Sequence, residues 1–122
     1  NVVMTQLGVN ADSIVMNVGS AAVGYGYEYV VSTLDRIKAA ALSQDDKMLQ
    51  MPIITPIASE TWNVKEAMAT EEESPEWGNQ EVRGISMEIQ TAAASLASGS
   101  DAVILKHPQS VATISKMIQE LM

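Results

Sequence analysis

The chain has 122 residues, a net charge of −8 and 47% hydrophobic content, with no phenylalanine and no cysteine. These totals suit one globular unit whose core must be filled by Met, Ile, Val, Leu and Ala. They exclude a disulfide, a thiol nucleophile and a thiolate-held zinc or iron–sulfur centre. The acidic balance also disfavours nucleic acid, which calls for clustered Lys and Arg. Absence of cysteine fits a reducing cytoplasm. No apolar run approaches the roughly 20 residues that cross a bilayer, so no membrane partner is expected.

The opening "NVVMTQLG" reads as the end of a helix, with Val3 and Leu7 four apart and Gly8 as a C-terminal cap. The chain is therefore expected to begin partway through a larger domain. "SIVMN" (Ser13 to Asn17) is a short branched apolar run and predicts a buried strand. "GSAAVGYG" (Gly19 to Gly26) predicts a loop. From Tyr27 the period changes, and Val30, Val31, Leu34, Ile37 and Ala41 line one face of a helix ending near Leu42. A second strand is expected at Ile53 and Ile54, stopped by Pro56.

A long irregular stretch, at about 56–80, follows and exceeds the usual connection within a compact domain. A helix resumes near Glu81, with Val82, Ile85, Ile89, Ala92, Ala93 and Leu96 on one side and Gly99 as its cap. "DAVILK" (Asp101 to Lys106) predicts the last strand. Pro108 suits the first turn of a last helix whose buried face would be Val111, Ile114, Ile118 and Leu121. Apolar strands alternating with amphipathic helices argue for a parallel sheet covered by helices. Three units are too few to close a barrel, which takes eight units and about 250 residues. A small open α/β sheet and the closing portion of a barrel both satisfy the pattern.

In either architecture function sits at the C-terminal ends of the strands. Three segments qualify: Asn17 to Gly26, Thr55 to Gln80, and Lys106 to Pro108. The glycine-rich segment offers backbone N–H groups ahead of a helix, suited to an anion, or it simply turns the chain tightly. His107, the only histidine, can move a proton or bind a metal, or it caps the next helix. Glu60, Glu66, Glu71, Glu72, Glu73 and Glu76 make the long loop acidic. Consecutive carboxylates of this kind, like Asp45 and Asp46, usually form a solvated surface.

The loop contains both tryptophans, Trp62 and Trp77, and the string "EESPEWGNQ". No regular element favours that string. Pro75 fixes a dihedral, Trp77 supplies an apolar anchor and Gly78 permits an unusual turn. Two readings stay open: a rigid element that docks a partner protein, or a loop whose rings pin it to its own domain.

At "AVGYGYEY" and "LDRIKAAAL" the chain resembles the delta subunit of the acetyl-CoA decarbonylase/synthase complex, whose bacterial counterpart is the small subunit of the corrinoid iron–sulfur protein. The likeness continues through "MPIITPIASETWNVKEA", "ESPEWGNQEVRGISMEIQTA" and "SGSDAVILKHPQSV". The resemblance implies that residues 1–122 are the C-terminal part of a single TIM-barrel domain, about three βα units with parallel strands. It implies a role in methyl transfer between a methyl-tetrahydropterin, corrinoid cobalt and the acetyl-CoA synthase cluster, within the Wood–Ljungdahl pathway and methanogenesis.

The expected partners are a large (gamma) corrinoid iron–sulfur subunit, acetyl-CoA synthase and a methyl-tetrahydropterin system. The corrinoid would be shared with the large subunit, and the iron–sulfur cluster would lie on that subunit alone. By position, Gly19, Ser20, Ala21, Thr55, Ser59 and His107 would lie nearest the cobalt face. Trp62, Pro75, Trp77 and Gly78 would form the partner interface. No catalytic residue and no metal-ligand set is assigned to this chain. At the end of the first strand the chain has Asn17–Val18 where family members often carry Asp–Pro, which weakens acid or base chemistry there. A purely structural scaffold subunit and a stand-alone pterin-dependent methyltransferase barrel are the alternatives.

Overall fold

Two long helices set the frame. Helix α2 (Tyr27–Ser43) buries Val30, Leu34 and Ala41, the stripe its period predicts. Helix α5 (Gln80–Ser98) packs against it and against most of the remaining elements. The structure, a computed structural model, describes residues 1–17, 19 and 27–121, without the side chains of Tyr27 and Glu66. Ser20, Ala21 and the rest of the glycine-rich run after Gly19 lie outside the described residues, as does Val18.

In chain order the other elements are α1 (Val2–Gln6), β1 (Ile54–Pro56), α3 (Ala58–Trp62), α4 (Lys65–Met68), β2 (Ala102–Ile104) and α6 (Pro108–Leu121). Short 3-10 turns occupy Ala11–Ser13, Lys47–Leu49 and Pro75–Trp77. Strands β1 and β2 pair in parallel, Ile54 opposite Ala102 and Pro56 opposite Ile104. Met16 forms a single parallel bridge to Ile53. The three segments thus lie side by side in chain order.

The strand expected over Ser13–Asn17 shrinks to that one bridge. The Asn10 side chain accepts from the Asp12 N–H and turns Ala11–Ser13 into a 3-10 turn, which shortens the extended run. Met16 still exchanges hydrogen bonds with the second segment, through Met16 N to Pro52 O and Ile54 N to Met16 O. Strand β1 runs through Pro56 instead of stopping before it, because the ladder bond at that end comes from Ile57 N to Ile104 O and needs no proline N–H. Strand β2 covers only part of Asp101–Lys106. Asp101 is used otherwise: its carboxylate accepts from Ile53 N at 2.9 Å and pairs with Lys38 at 3.3 Å.

The stretch expected to be irregular holds two short helices and a 3-10 turn between irregular residues. Helices α3 and α4 are one turn each, and such pieces carry too few residues for a 3.6 period to be legible. Even the string around Pro75 forms a 3-10 turn, with Pro75 at its first position and Gly78 leaving it at φ +76°.

The core falls into two clusters. Ile14, Met16, Val30, Leu34, Met51 and Ile53 lie between α2 and the first two extended segments. Ile57, Ala92 and Ile114 join α5 to α6, with Val103 and Leu105 against them. Two expected buried faces are rotated. On α5 the buried stripe is Gly84, Ile85, Glu88, Thr91, Ala92 and Ser95, and Val82 is exposed in the first turn. On α6 only Ser110 and Ile114 are buried, while Val111, Ile118 and Leu121 are exposed. The two buried faces meet where Ser110 of α6 lies beside Glu88 on the buried face of α5.

The two faces of the sheet differ. Side chains alternate along a strand, and Val103 and Leu105 pack toward the helices. Their neighbours Ala102 and Ile104 are exposed on the opposite face, with Ile54 and Pro56 beside them in register and partly covered.

Candidate functional site

Where β1 and β2 end, the chain enters α3 and the Lys106–His107 link, and both meet the first half of α5. Glu88 is the centre of this junction. It is fully buried and lies on the apolar stripe of α5. Its Oε2 accepts from the Trp62 indole Nε1 at 2.9 Å and from Lys106 N at 2.9 Å. Its Oε1 accepts from His107 N at 3.2 Å. One carboxylate therefore joins α3, α5 and the turn after β2.

Burial by itself would push the Glu88 carboxyl upward. The Lys106 amide, the neighbouring Ser110 hydroxyl, the His107 amide and the Trp62 indole outweigh it and hold the group below the usual glutamate value. Ser110 Oγ is buried beside the carboxylate without a hydrogen bond of good geometry. Glu88 is thus an ionised acceptor at neutral pH and holds no proton to give.

Trp62 and His107 stack, with ring centroids 6.0 Å apart and planes 16° from parallel. The Lys106 ammonium sits 5.7 Å from the Trp62 centroid. Gly84 is what lets the indole lie against α5, since a Cβ at that position would collide with the six-membered ring of Trp62. The His107 ring is held at both nitrogens. Nδ1 accepts from Gln109 N at 3.1 Å, which caps α6, and Nε2 lies 2.8 Å from Glu81 Oε1. With Nδ1 an acceptor, the neutral ring carries its proton on Nε2 and donates it to Glu81.

The other expected site residues are spread out. Thr55 is buried and its hydroxyl pairs with Ser100 Oγ at 2.8 Å, inside the sheet–helix layer. Ser59 is exposed on α3. Gly19, at φ +87°, donates its N–H to Asn17 Oδ1. Of the tryptophan-loop residues, Trp62 joins His107 in the junction. Pro75, Trp77 and Gly78 form a separate patch tied to Arg83, whose guanidinium lies 5.5 Å from the Trp77 centroid. Among the loop carboxylates, Glu71 accepts from Asn79 and Glu73 accepts from Thr70 N. The Glu66 side chain lies outside the described residues.

Glu88, Gly84 and Glu81 of the junction, and Arg83 of the separate Trp77 patch, are residues that the motif reading misses. Two carried a signal: Glu88 is a carboxylate set among Ile85, Ile89 and Ala92 on an apolar stripe, and Gly84 interrupts a helix interior.

A family model described as CO dehydrogenase/acetyl-CoA synthase delta subunit matches residues 1–119. The chain is similar to acetyl-CoA decarbonylase/synthase complex subunit delta 2 of Methanosarcina acetivorans, 35% identical over 97% of this chain and 27% of that protein. Subunit delta of Archaeoglobus fulgidus is 34% identical over 90% of this chain and 25% of its own length. Subunit delta of Methanocaldococcus jannaschii is 29% identical over 93% and 27%. The chain spans about a quarter of the length of the curated relatives it matches.

Proposed function

This chain belongs to the CO dehydrogenase/acetyl-CoA synthase delta subunit family, and from that premise we propose that it forms one arc of a TIM-barrel wall facing a corrinoid carried mainly by a partner subunit. On this reading it assists methyl transfer between a methyl-tetrahydropterin, cobalt and the acetyl-CoA synthase cluster, and performs no proton chemistry of its own. The relatives are named as subunits of an acetyl-CoA decarbonylase/synthase complex, which supports a role within an assembly.

The observation that carries the reading is the Trp62–His107 stack at the C-terminal ends of two parallel strands, locked from below by Glu88. In barrels that end is where ligands are met. Further support comes from the chain order of the extended segments and from the sheet face on which Ala102 and Ile104 are exposed.

The residues fit a boundary better than an anchor. Both His107 nitrogens are engaged, so the imidazole is not aimed outward as a metal ligand. A bound corrinoid would supply the cobalt that accepts and releases the methyl group. This chain's part is to present a rigid, largely aromatic ledge that orients and shields it. Glu88 argues against an independent methyltransferase, because the most deeply buried carboxylate of the junction is ionised and already accepts three hydrogen bonds.

The test uses the complete delta polypeptide in its reconstituted complex. His107→Ala and Trp62→Phe are expected to shift the corrinoid absorption bands and slow methyl transfer while the complex still assembles. Unchanged spectra and rates with normal assembly would leave the scaffold reading in its place. The delta polypeptide alone, mixed with methyl-tetrahydropterin and free cob(I)alamin, is expected to yield no methylcobalamin.

A further inference from the structure

His107 is the residue on which α6 starts. Its carbonyl accepts from Val111 N at 3.1 Å, and its Nδ1 accepts from Gln109 N at 3.1 Å. This is an N-cap in which an imidazole nitrogen stands where Ser, Thr, Asp or Asn is usual. Pro108 has no N–H to satisfy, so Gln109 carries the first amide of the helix that needs an acceptor. The first turn of α6 holds no acidic residue that could serve instead.

An imidazole differs from the usual caps in one respect: Nδ1 accepts only while the ring is neutral. Nε2 lies 2.8 Å from Glu81 Oε1, so the single proton of the neutral ring sits on Nε2 and leaves Nδ1 its lone pair. A second proton has only Nδ1 to go to. It would set an N–H against the Gln109 N–H and place a positive charge at the positive end of the α6 dipole. The bond to Glu81 survives, because Nε2 donates in both states. The ring therefore stays paired with α5 while it gives up α6.

The groups around the ring pull in opposite directions. From α5, Glu81 favours the imidazolium. So does Glu88, which accepts from His107 N at 3.2 Å and stays ionised because its partners hold it below the usual glutamate value. From α3 the ring meets the stacked Trp62 indole, whose face attracts a cation. Lys106 opposes the added charge, with its ammonium 5.7 Å from the centroid of that same indole. Both sides of the junction can thus accommodate a charged ring, whereas the helix that the ring caps cannot.

We propose that His107 is a proton-operated cap: neutral, it closes the first turn of α6 through Gln109, and protonated, it releases that turn while remaining bound to Glu81. Histidine ordinarily changes charge between about pH 5 and 8, so the release belongs to mildly acidic conditions. The inference concerns the chain just after β2 and does not rest on the corrinoid. It adds that the Trp62–His107 ledge has a capped and a released state.

The test is an NMR titration of the complete delta polypeptide from about pH 8 to about pH 5, with the His107 and Gln109 signals assigned by substitution. As the His107 Nδ1 signal passes from the acceptor to the protonated range, the Gln109 amide signal is expected to shift with the same midpoint. Its exchange with solvent, corrected for the intrinsic effect of pH, should become about fivefold faster, the loss of one cap. His107→Asn caps without titrating, and should keep Gln109 protected across the range. Glu81→Gln leaves an acceptor for Nε2 but removes the charge, so the same transition should move to lower pH. A Gln109 signal that does not follow the ring would overturn the proposal. So would a transition that persists in His107→Asn or stays in place in Glu81→Gln. The corrinoid spectrum of the reconstituted complex reports separately on the ledge, so this inference and the proposed function fail independently.

Discussion

Glu88 keeps its charge in a buried site because three N–H donors, one from α3 and two from the link after β2, converge on its two oxygens. An amide in its place would direct N–H groups at N–H groups. Glu88→Gln is therefore expected to cost about 2–3 kcal/mol, measured by urea unfolding. The pH dependence has a definite sign. The folded carboxyl lies below its ordinary value of about 4.5, so its contribution is fully present above that pH. It is lost as pH falls through the lower folded value. The wild type should lose stability in that acid window, and Glu88→Gln should show a shallower slope there. Gly84→Ala tests the same junction from the other side. Its methyl would displace the Trp62 ring and break the indole–Glu88 bond, with an expected loss of about 1–3 kcal/mol and a red-shifted tryptophan emission.

Helices α2, α5 and α6 are legible in the sequence because each is long enough to repeat its apolar spacing several times. Their caps are legible in part. Gly99 ends α5 at φ +124° as its position predicts, whereas Asn79, whose side chain accepts from Val82 N, is the cap that fixes where α5 begins. Asn79→Ala is expected to lower stability by about 1 kcal/mol in thermal unfolding. Helices α3 and α4 hide in the sequence because one turn cannot show a period. They persist through contact with α5 and through bonds such as Thr61 Oγ1 to Ile57 O. The direction each helix faces was the weaker inference. Val82 and Val111 look inward by hydrophobicity but are exposed, whereas the polar Glu88 and Ser110 lie on the buried faces.

At the scale of the whole molecule, the two parallel strands have one face packed on helices and one bare face carrying Ala102 and Ile104. On the barrel reading that bare face lines the interior of the complete domain. Ile104→Lys in the complete delta polypeptide is then expected to cost about 2–4 kcal/mol by urea unfolding, since it would place a charge among apolar side chains. A cost near zero would mean the face is open to water and would remove the barrel.

The sequence by itself determined the alternation of extended and helical segments, the long helices, the family, and the concentration of unusual residues in the stretch from Pro56 to Gln80. These properties are local or cumulative along the chain, so periodicity, turn chemistry and motif order express them directly. Only the tertiary structure decided that Trp62 and Trp77 serve different surfaces, that Thr55 turns its hydroxyl to Ser100, and that Glu88 rather than a loop carboxylate organises the strand ends. Those outcomes depend on which groups meet across 26 or 45 positions of chain. The burial and hydrogen bonding that settle them exist only once the helices have packed.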